Sequence, residues 1–276
     1  MGNKETLKSS PKSLNALLRW AKGLSMRAKV VAGFLASLVI IVVMKFTVKK
    51  SSHFYLLSES CHAAGILVLI RKLMYQKSCS GLSIKTQELT AIFLVARLIC
   101  SINLEKNIHT MLDLLTLLTT GWVIYMMRRK LKSSYSKDMD TLPIYYVLVP
   151  CAILSLLVHP PIRTFLLAGP TFAFCIYVEA LSVLPQLRLM QRMKMIEPFT
   201  AKYVFALGMA RFFAWAYWII QTYETRGGYF FLIGSGYFWF FALFLAEVVQ
   251  SFILVDFCYY YIKSFVRGQY WVDMPV

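Results

Sequence analysis

An all-α membrane protein is the fold class this sequence predicts, and three observations predict it. Of 276 residues, 58% are apolar and only 16% charged, whereas an ordinary soluble domain carries about 25% charged residues. The apolar residues gather into eight runs, each near the length of about 20 residues that crosses a hydrocarbon core. The net charge of +17 sits in alternate connections between those runs rather than along one face. That is the positive-inside pattern of a polytopic membrane protein, and it argues against a nucleic-acid surface.

Residues 1–29 are polar and basic. Within them, SLNALLRWAKGLSMRAK sets Leu14, Leu17, Leu18, Ala21 and Leu24 on one helical face, opposite Arg19 and Lys22, with Ser13 as N-cap. A helix lying on an anionic membrane surface and a partly disordered tail both fit this stretch. The opening MGNKET matches the short acylation pattern M-G-x-x-x-[ST] at Gly2. The first apolar run, VVAGFLASLVIIVVMKF (30–46), lies behind too long a polar stretch for a signal peptide, and no small-residue cleavage site follows it. It is expected to be an uncleaved extra anchor. Seven further spans are expected at about 54–70, 87–104, 108–127, 144–158, 164–184, 203–223 and 240–262. They make residues 54–262 one helical bundle and leave 263–276 as a short tail.

Basic residues set the expected orientation. Of the 30 Lys and Arg, 22 fall in 1–29, 71–85, 128–137, 188–202 and 263–267. The opposite connections hold only Lys45, Lys49, Lys50, Lys106, Arg163 and Arg226. Both termini therefore face the cytosol on this reading, with Lys45, Lys49 and Lys50 as the one discordant cluster.

The remaining two basic residues, Arg97 and Arg211, stand inside apolar spans. There an unpaired arginine costs about 2.5–3.5 kcal/mol on insertion scales, so partners, water or an anionic ligand are required. Glu59, His62, Asp113, Glu179, Glu247 and Asp256 also fall within spans. A static interior pairing, for instance of Arg211 with Glu179, is the plainest account of any one of them. With the first anchor set aside, the spans form three, one and three, and each arginine occupies the second helix of its triplet. In parallel repeats those helices are symmetry mates, which brings the two guanidiniums together to fork onto a carboxylate. Trp218 lies seven residues, or two turns, beyond Arg211 and is a candidate wall of that pocket. His62, three residues from Glu59 on one face, is a candidate proton-sensitive group.

Other chemistry is not signalled. The six cysteines are scattered without metal-type spacing, the four histidines form no cluster, and no P-loop, GxGxxG, HExxH or GxSxG occurs. No cofactor, metal or catalytic residue is expected.

Four blocks carry a family resemblance: KSCSGLSIKTQELTAIFLVAR (77–97), YVEALSVLPQL (177–187), KYVFALGMAR (202–211) and VDFCYYYIKSFVRG (255–268). In order and spacing they resemble the ER lumen protein-retaining receptors, the KDEL/HDEL receptor family. The resemblance covers about residues 54–268 and leaves out the first 50 residues and an insertion around 227–239. It implies a seven-helix bundle of the SWEET/PQ-loop type, two three-helix repeats plus a linker helix, here preceded by an additional transmembrane helix. It implies a non-enzymatic receptor in ER and Golgi membranes. Such receptors bind the C-terminal tetrapeptide of escaped ER proteins in the acidic Golgi lumen, engage vesicle coat machinery on the cytosolic side, and release cargo at the neutral pH of the ER. By the resemblance Arg97, Arg211 and Trp218 match ligand-cavity residues, His62 matches a pH-linked histidine, and Glu179 matches a glutamate coupled to it.

Departures from the family pattern are concentrated in that cavity. Tyr55 stands where the family has a third arginine, Cys100 an aspartate, Phe172 a tryptophan, and Gly169 the glutamate that engages the cation at the start of the tetrapeptide. Ala210, Ala214 and Tyr217 replace two tyrosines and an asparagine. The lysine-rich tail is reduced to Lys263 and Arg267. The carboxylate-facing half of the site is kept and the cation-facing half largely lost. A transporter of small organic anions or sugars, or a scaffold that binds nothing, remains a rival on the same fold.

Overall fold

The structure, a computed structural model, describes residues 52–104, 108–162, 164, 167–193, 195–225, 238–267, 269 and 271–273. The expected tail and anchor over 1–46, Gly2, the discordant lysines, Lys106, Arg163 and the insertion at 227–237 lie outside them. Each of the seven runs expected within 54–262 overlaps a helix, and the run 164–184 extends beyond its helix, Ala168–Leu181, at both ends. The helices are α1 (Ser52–Tyr75), α2 (Ile84–Leu104), α3 (Ile108–Tyr125), α4 (Tyr145–Leu157), α5 (Ala168–Leu181), α6 (Leu184–Met193), α7 (Pro198–Glu224) and α8 (Trp239–Val266). Five helical stretches are long and apolar enough to cross a membrane: His53–Tyr75, His109–Lys130, Ala168–Met193, Pro198–Glu224 and Trp239–Phe265. α5 and α6 share the third of these, interrupted by two residues just before Pro185. α2 is 21 residues long but carries Lys85, Glu88 and Arg97, and α4 is a shorter apolar helix containing Pro150.

The most extensive helix contact is between α1 and α7. Gly65 permits it: a Cβ there would stand 3.3 Å from the Ala206 Cβ and 3.4 Å from the Tyr203 ring. α2 packs on α3 and α5, α4 on α5, and α8 on α7 and α5. Two apolar clusters fill the bundle. One runs from Leu69 and Leu73 of α1 to Tyr203 and Val204 of α7 and Phe257 of α8. The other joins Leu89 and Phe93 of α2 to Val178 of α5 and to Trp239 and Leu243 of α8. Large apolar side chains such as Leu118, Leu157 and Phe252 point outward, as the surface of a lipid-facing bundle requires.

The blocks that carry the family resemblance form a polar cap where α1, α3, α6 and α8 end and α2 and α7 begin. This basic end holds Lys72, Lys85, Arg128, Arg192, Lys202 and Lys263. Gln186, fully buried, accepts from the Ser83 amide at 2.9 Å, donates to the Gly81 carbonyl at 2.7 Å, and its own amide donates to Thr86 Oγ1 at 2.9 Å. Lys72 Nζ, also fully buried, donates to the Ser80 carbonyl and Thr200 Oγ1, each at 2.7 Å, and pairs with Glu197 at 2.8 Å. Asp140 Oδ2 accepts from Ser83 Oγ at 2.9 Å and from the Tyr135 hydroxyl at 2.7 Å. Burial and that bond to Asp140 raise the Tyr135 hydroxyl above the usual phenol range. Two short strands, β1 (Met195–Ile196) and β2 (Val272–Asp273), pair antiparallel and tie the C-terminal segment to the turn before α7.

Candidate functional site

Arg97, midway along α2, and Arg211, midway along α7, both reach Glu179 on α5. Arg97 Nε donates to both Asp113 oxygens at 3.0 Å and its Nη2 to Asp113 Oδ1 at 2.5 Å. Its Nη1 faces the two Glu179 oxygens at 3.4 Å. Arg211 Nη2 donates to Glu179 Oε1 at 2.5 Å and Nη1 to Gln250 Oε1 at 3.2 Å. Gln250 closes the ring by donating from Nε2 to the Glu179 backbone carbonyl at 3.0 Å. Three helices (α2, α5 and α7) thus meet at the Glu179 carboxylate, and α3 and α8 join the network through Asp113 and Gln250.

These side chains are nearly enclosed: exposure is 14% for Arg97, 11% for Arg211, 13% for Glu179 and 4% for Asp113. In so dry a place each charge persists only with partners. The expected pairing of Arg211 with Glu179 is present, and it is shared with Arg97. Glu247, one turn before Gln250 on α8, lies within electrostatic range of Arg211 and Glu179, and its Oε2 is buried with no partner among the described residues. The cluster therefore sets two guanidiniums (Arg97, Arg211) against three carboxylates (Asp113, Glu179, Glu247).

His62, 8% exposed, packs 6.2 Å from the Phe93 ring, within electrostatic range of both arginines and Glu179. Trp218 lies two turns beyond Arg211, edge-on to Tyr217 at 6.2 Å and packed on the cluster around Trp239. Arg97, Arg211, Glu179 and His62 are thus one group of side chains, and Trp218 belongs to the layer toward the other end. Gln250 and the pairing role of Asp113 were not anticipated. Asp113 was visible as an intramembrane charge, but an uncharged glutamine in an apolar run gives no signal of its own.

The departures have structural consequences. Gly169 has no room for a side chain: a Cβ there would overlap the Pro160 carbonyl oxygen and the His159 ring. A glutamate at this position is therefore excluded sterically. Ala210 is fully buried, and its carbonyl accepts from Ser58 Oγ at 2.8 Å, which pins α7 to α1 beside Arg211. Phe172 packs 6.1 Å from the Trp239 ring.

A family model described as ER lumen protein retaining receptor matches residues 78–221 of this chain. The chain belongs to this family. Among its relatives, an ER lumen protein-retaining receptor of Petunia hybrida is 33% identical over 216 residues, covering 76% of this chain and 94% of the relative. That of Dictyostelium discoideum is 32% identical over 224 residues, covering 78% and 96%. That of Drosophila melanogaster is 32% identical over 209 residues, covering 75% and 92%. The matched region contains the arginine cluster except for His62 and the α8 residues, and it contains the whole of the polar cap contributed by 78–87 and 184–187.

Proposed function

We propose that this protein is a non-catalytic receptor that captures the C-terminal peptides of ER lumenal proteins and returns them from the Golgi to the ER. The observation that carries the reading is the convergence of Arg97 and Arg211, from separate helices, on the single carboxylate of Glu179. A site that already holds a carboxylate between two guanidiniums suits a second one, such as a peptide C-terminus, if that carboxylate is exchanged. The fold is read as the three-one-three arrangement of the SWEET/PQ-loop type, in which Arg97 and Arg211 occupy equivalent helices. The basic end faces the cytosol and its coat machinery, through Lys263 and Arg267. The opposite end opens to the lumen.

Charge balance gives the reading a mechanism. With Asp113, Glu179 and Glu247 all ionised, the cluster is net negative by one (two guanidiniums against three carboxylates). Another carboxylate enters only if a proton comes with it or an internal carboxylate lets go of its arginine. Protonating Glu247, whose Oε2 has no partner among the described residues, removes the excess negative charge, and the entering carboxylate then competes with Glu179 for Arg211. Ligand binding is then linked to proton uptake, so affinity rises as pH falls, by up to tenfold per unit for one proton. His62 beside the arginines, and Trp218 above them, complete the proton-sensitive and apolar parts of the site.

The test is binding of peptides ending in KDEL or HDEL to the purified protein at about pH 6 and pH 7.4. Tighter binding at the lower pH, lost in Arg97→Lys and Arg211→Lys, is expected. The same ion pairs would also serve a bundle that binds nothing. Failure of the unaltered protein to bind any free-carboxylate peptide at either pH would decide for that rival.

A further inference from the structure

We infer that Glu59, backed by His109 and roofed by Tyr55 and Tyr217, forms a second subsite that takes the basic side chain of the bound peptide. The inference rests on the peptide-receptor reading and adds to it the missing cation partner. Glu59 is only 7% exposed, yet its two oxygens are treated differently. Oε2 lies 2.6 Å from His109 Nδ1, whereas Oε1 is buried with no hydrogen-bond partner among the described residues. A buried carboxylate oxygen left unpaired is costly, and such groups in native proteins call for a ligand, a water or an ion. Glu179 shows within the same bundle that one carboxylate can serve two cations at once.

The surroundings select a cation. The Tyr55 ring stands 5.0 Å from the His109 ring and 5.7 Å from the Tyr217 ring. A carboxylate oxygen whose histidine partner packs against aromatic rings suits an ammonium or guanidinium group. The position is also correct for a peptide held by the arginines. His109 and Asp113 are four residues apart on α3 and share a face, so the Glu59–His109 pair lies one turn, about 6 Å, from the Arg97–Asp113 pair. An extended peptide rises about 3.3 Å per residue, so a basic and an acidic group two residues apart reach the two layers together. Because Gly169 leaves no space for an acidic side chain, the basic group needs its counter-charge elsewhere, and Glu59 supplies it.

The experiment compares two peptides, one ending in Lys-Asp-Glu-Leu and one identical but with that lysine acetylated on Nε, at about pH 6. The unaltered protein is expected to prefer the charged peptide by about tenfold to a hundredfold. Glu59→Gln, which keeps the shape and an acceptor for His109, is expected to bring the ratio below about twofold while leaving the acetylated peptide's affinity unchanged. Equal affinity of the unaltered protein for both peptides overturns the subsite without touching the receptor reading. A ratio preserved in Glu59→Gln, or equal losses for both peptides, overturns it as well. Binding of neither peptide overturns the receptor reading and the subsite with it. The comparison of peptides on the unaltered protein decides the matter even where the variant fails to fold.

Discussion

Replacing Glu179 with glutamine isolates the shared carboxylate. The change keeps the shape and one acceptor oxygen but removes the charge held between Arg97 at 3.4 Å and Arg211 at 2.5 Å. Arg97 keeps its fork on Asp113, so the loss falls mainly on Arg211, left with Gln250 and the nearby Glu247. Breaking a buried pair costs about 3–5 kcal/mol. With Glu247 close by, a value near the lower end, about 3 kcal/mol, is expected from thermal unfolding in detergent without ligand. Binding should move the other way. Glutamine removes one negative charge from the cluster without a proton and loosens the hold on Arg211, so affinity for a peptide ending in KDEL at pH 7.4 should approach the unaltered protein's affinity at pH 6, and the pH dependence between them should flatten. Calorimetric titration at the two pH values reads this directly. A variant that keeps the full pH slope, or that loses binding at both values while its stability is unchanged, would refute the proton-exchange argument.

Other outcomes follow from the same contacts. Arg97→Lys keeps a charge but not the bidentate geometry on Asp113 and should lower peptide affinity at pH 6 at least tenfold; an unchanged titration would remove Arg97 from the site. Gly169→Ala should destabilise the protein by about 1–3 kcal/mol through overlap with Pro160 and His159, whereas an unaltered melting temperature would show that the α4–α5 connection yields freely. Gln186→Ala deletes two buried hydrogen bonds and leaves the Ser83 amide and Gly81 carbonyl unpaired, at about 1–3 kcal/mol each. It should lower stability without changing the preference for charged over acetylated peptide, and a changed preference would tie the polar cap to ligand choice.

The polar cap carries much of the sequence by which this chain resembles its family. The SCSGLS turn, Lys85, Gln87 and the LPQL block hold helix ends together through buried polar groups. Gln186 contacts three separate backbone or side-chain partners, and Gln87 donates to the Tyr203 hydroxyl at 2.9 Å. Each such group must find its own partner in a fixed geometry. Tyr55, Gly169 and Ala210 differ from what the resemblance implies, and Arg97 and Arg211 both contact Glu179.

Helix positions were largely legible along the chain because an apolar run announces itself by length and composition: each of the seven runs within 54–262 overlaps a helix, and five helical stretches are long and apolar enough to cross a membrane. The arginines were legible for a related reason: a charge in an apolar run has an energetic cost that can be read without knowing the fold. Arg211 was paired with Glu179 from the sequence, but the partners of Arg97 were not legible, because Asp113 lies 16 residues and Glu179 lies 82 residues from Arg97 in sequence. Their meeting depends on how α2, α3 and α5 are turned about their axes. The same holds for Glu59 and His109, separated by 50 residues, and for the steric closure at Gly169. Local composition decides that a segment crosses the bilayer and that its charges need partners. Only the packing of the helices decides which partners they are.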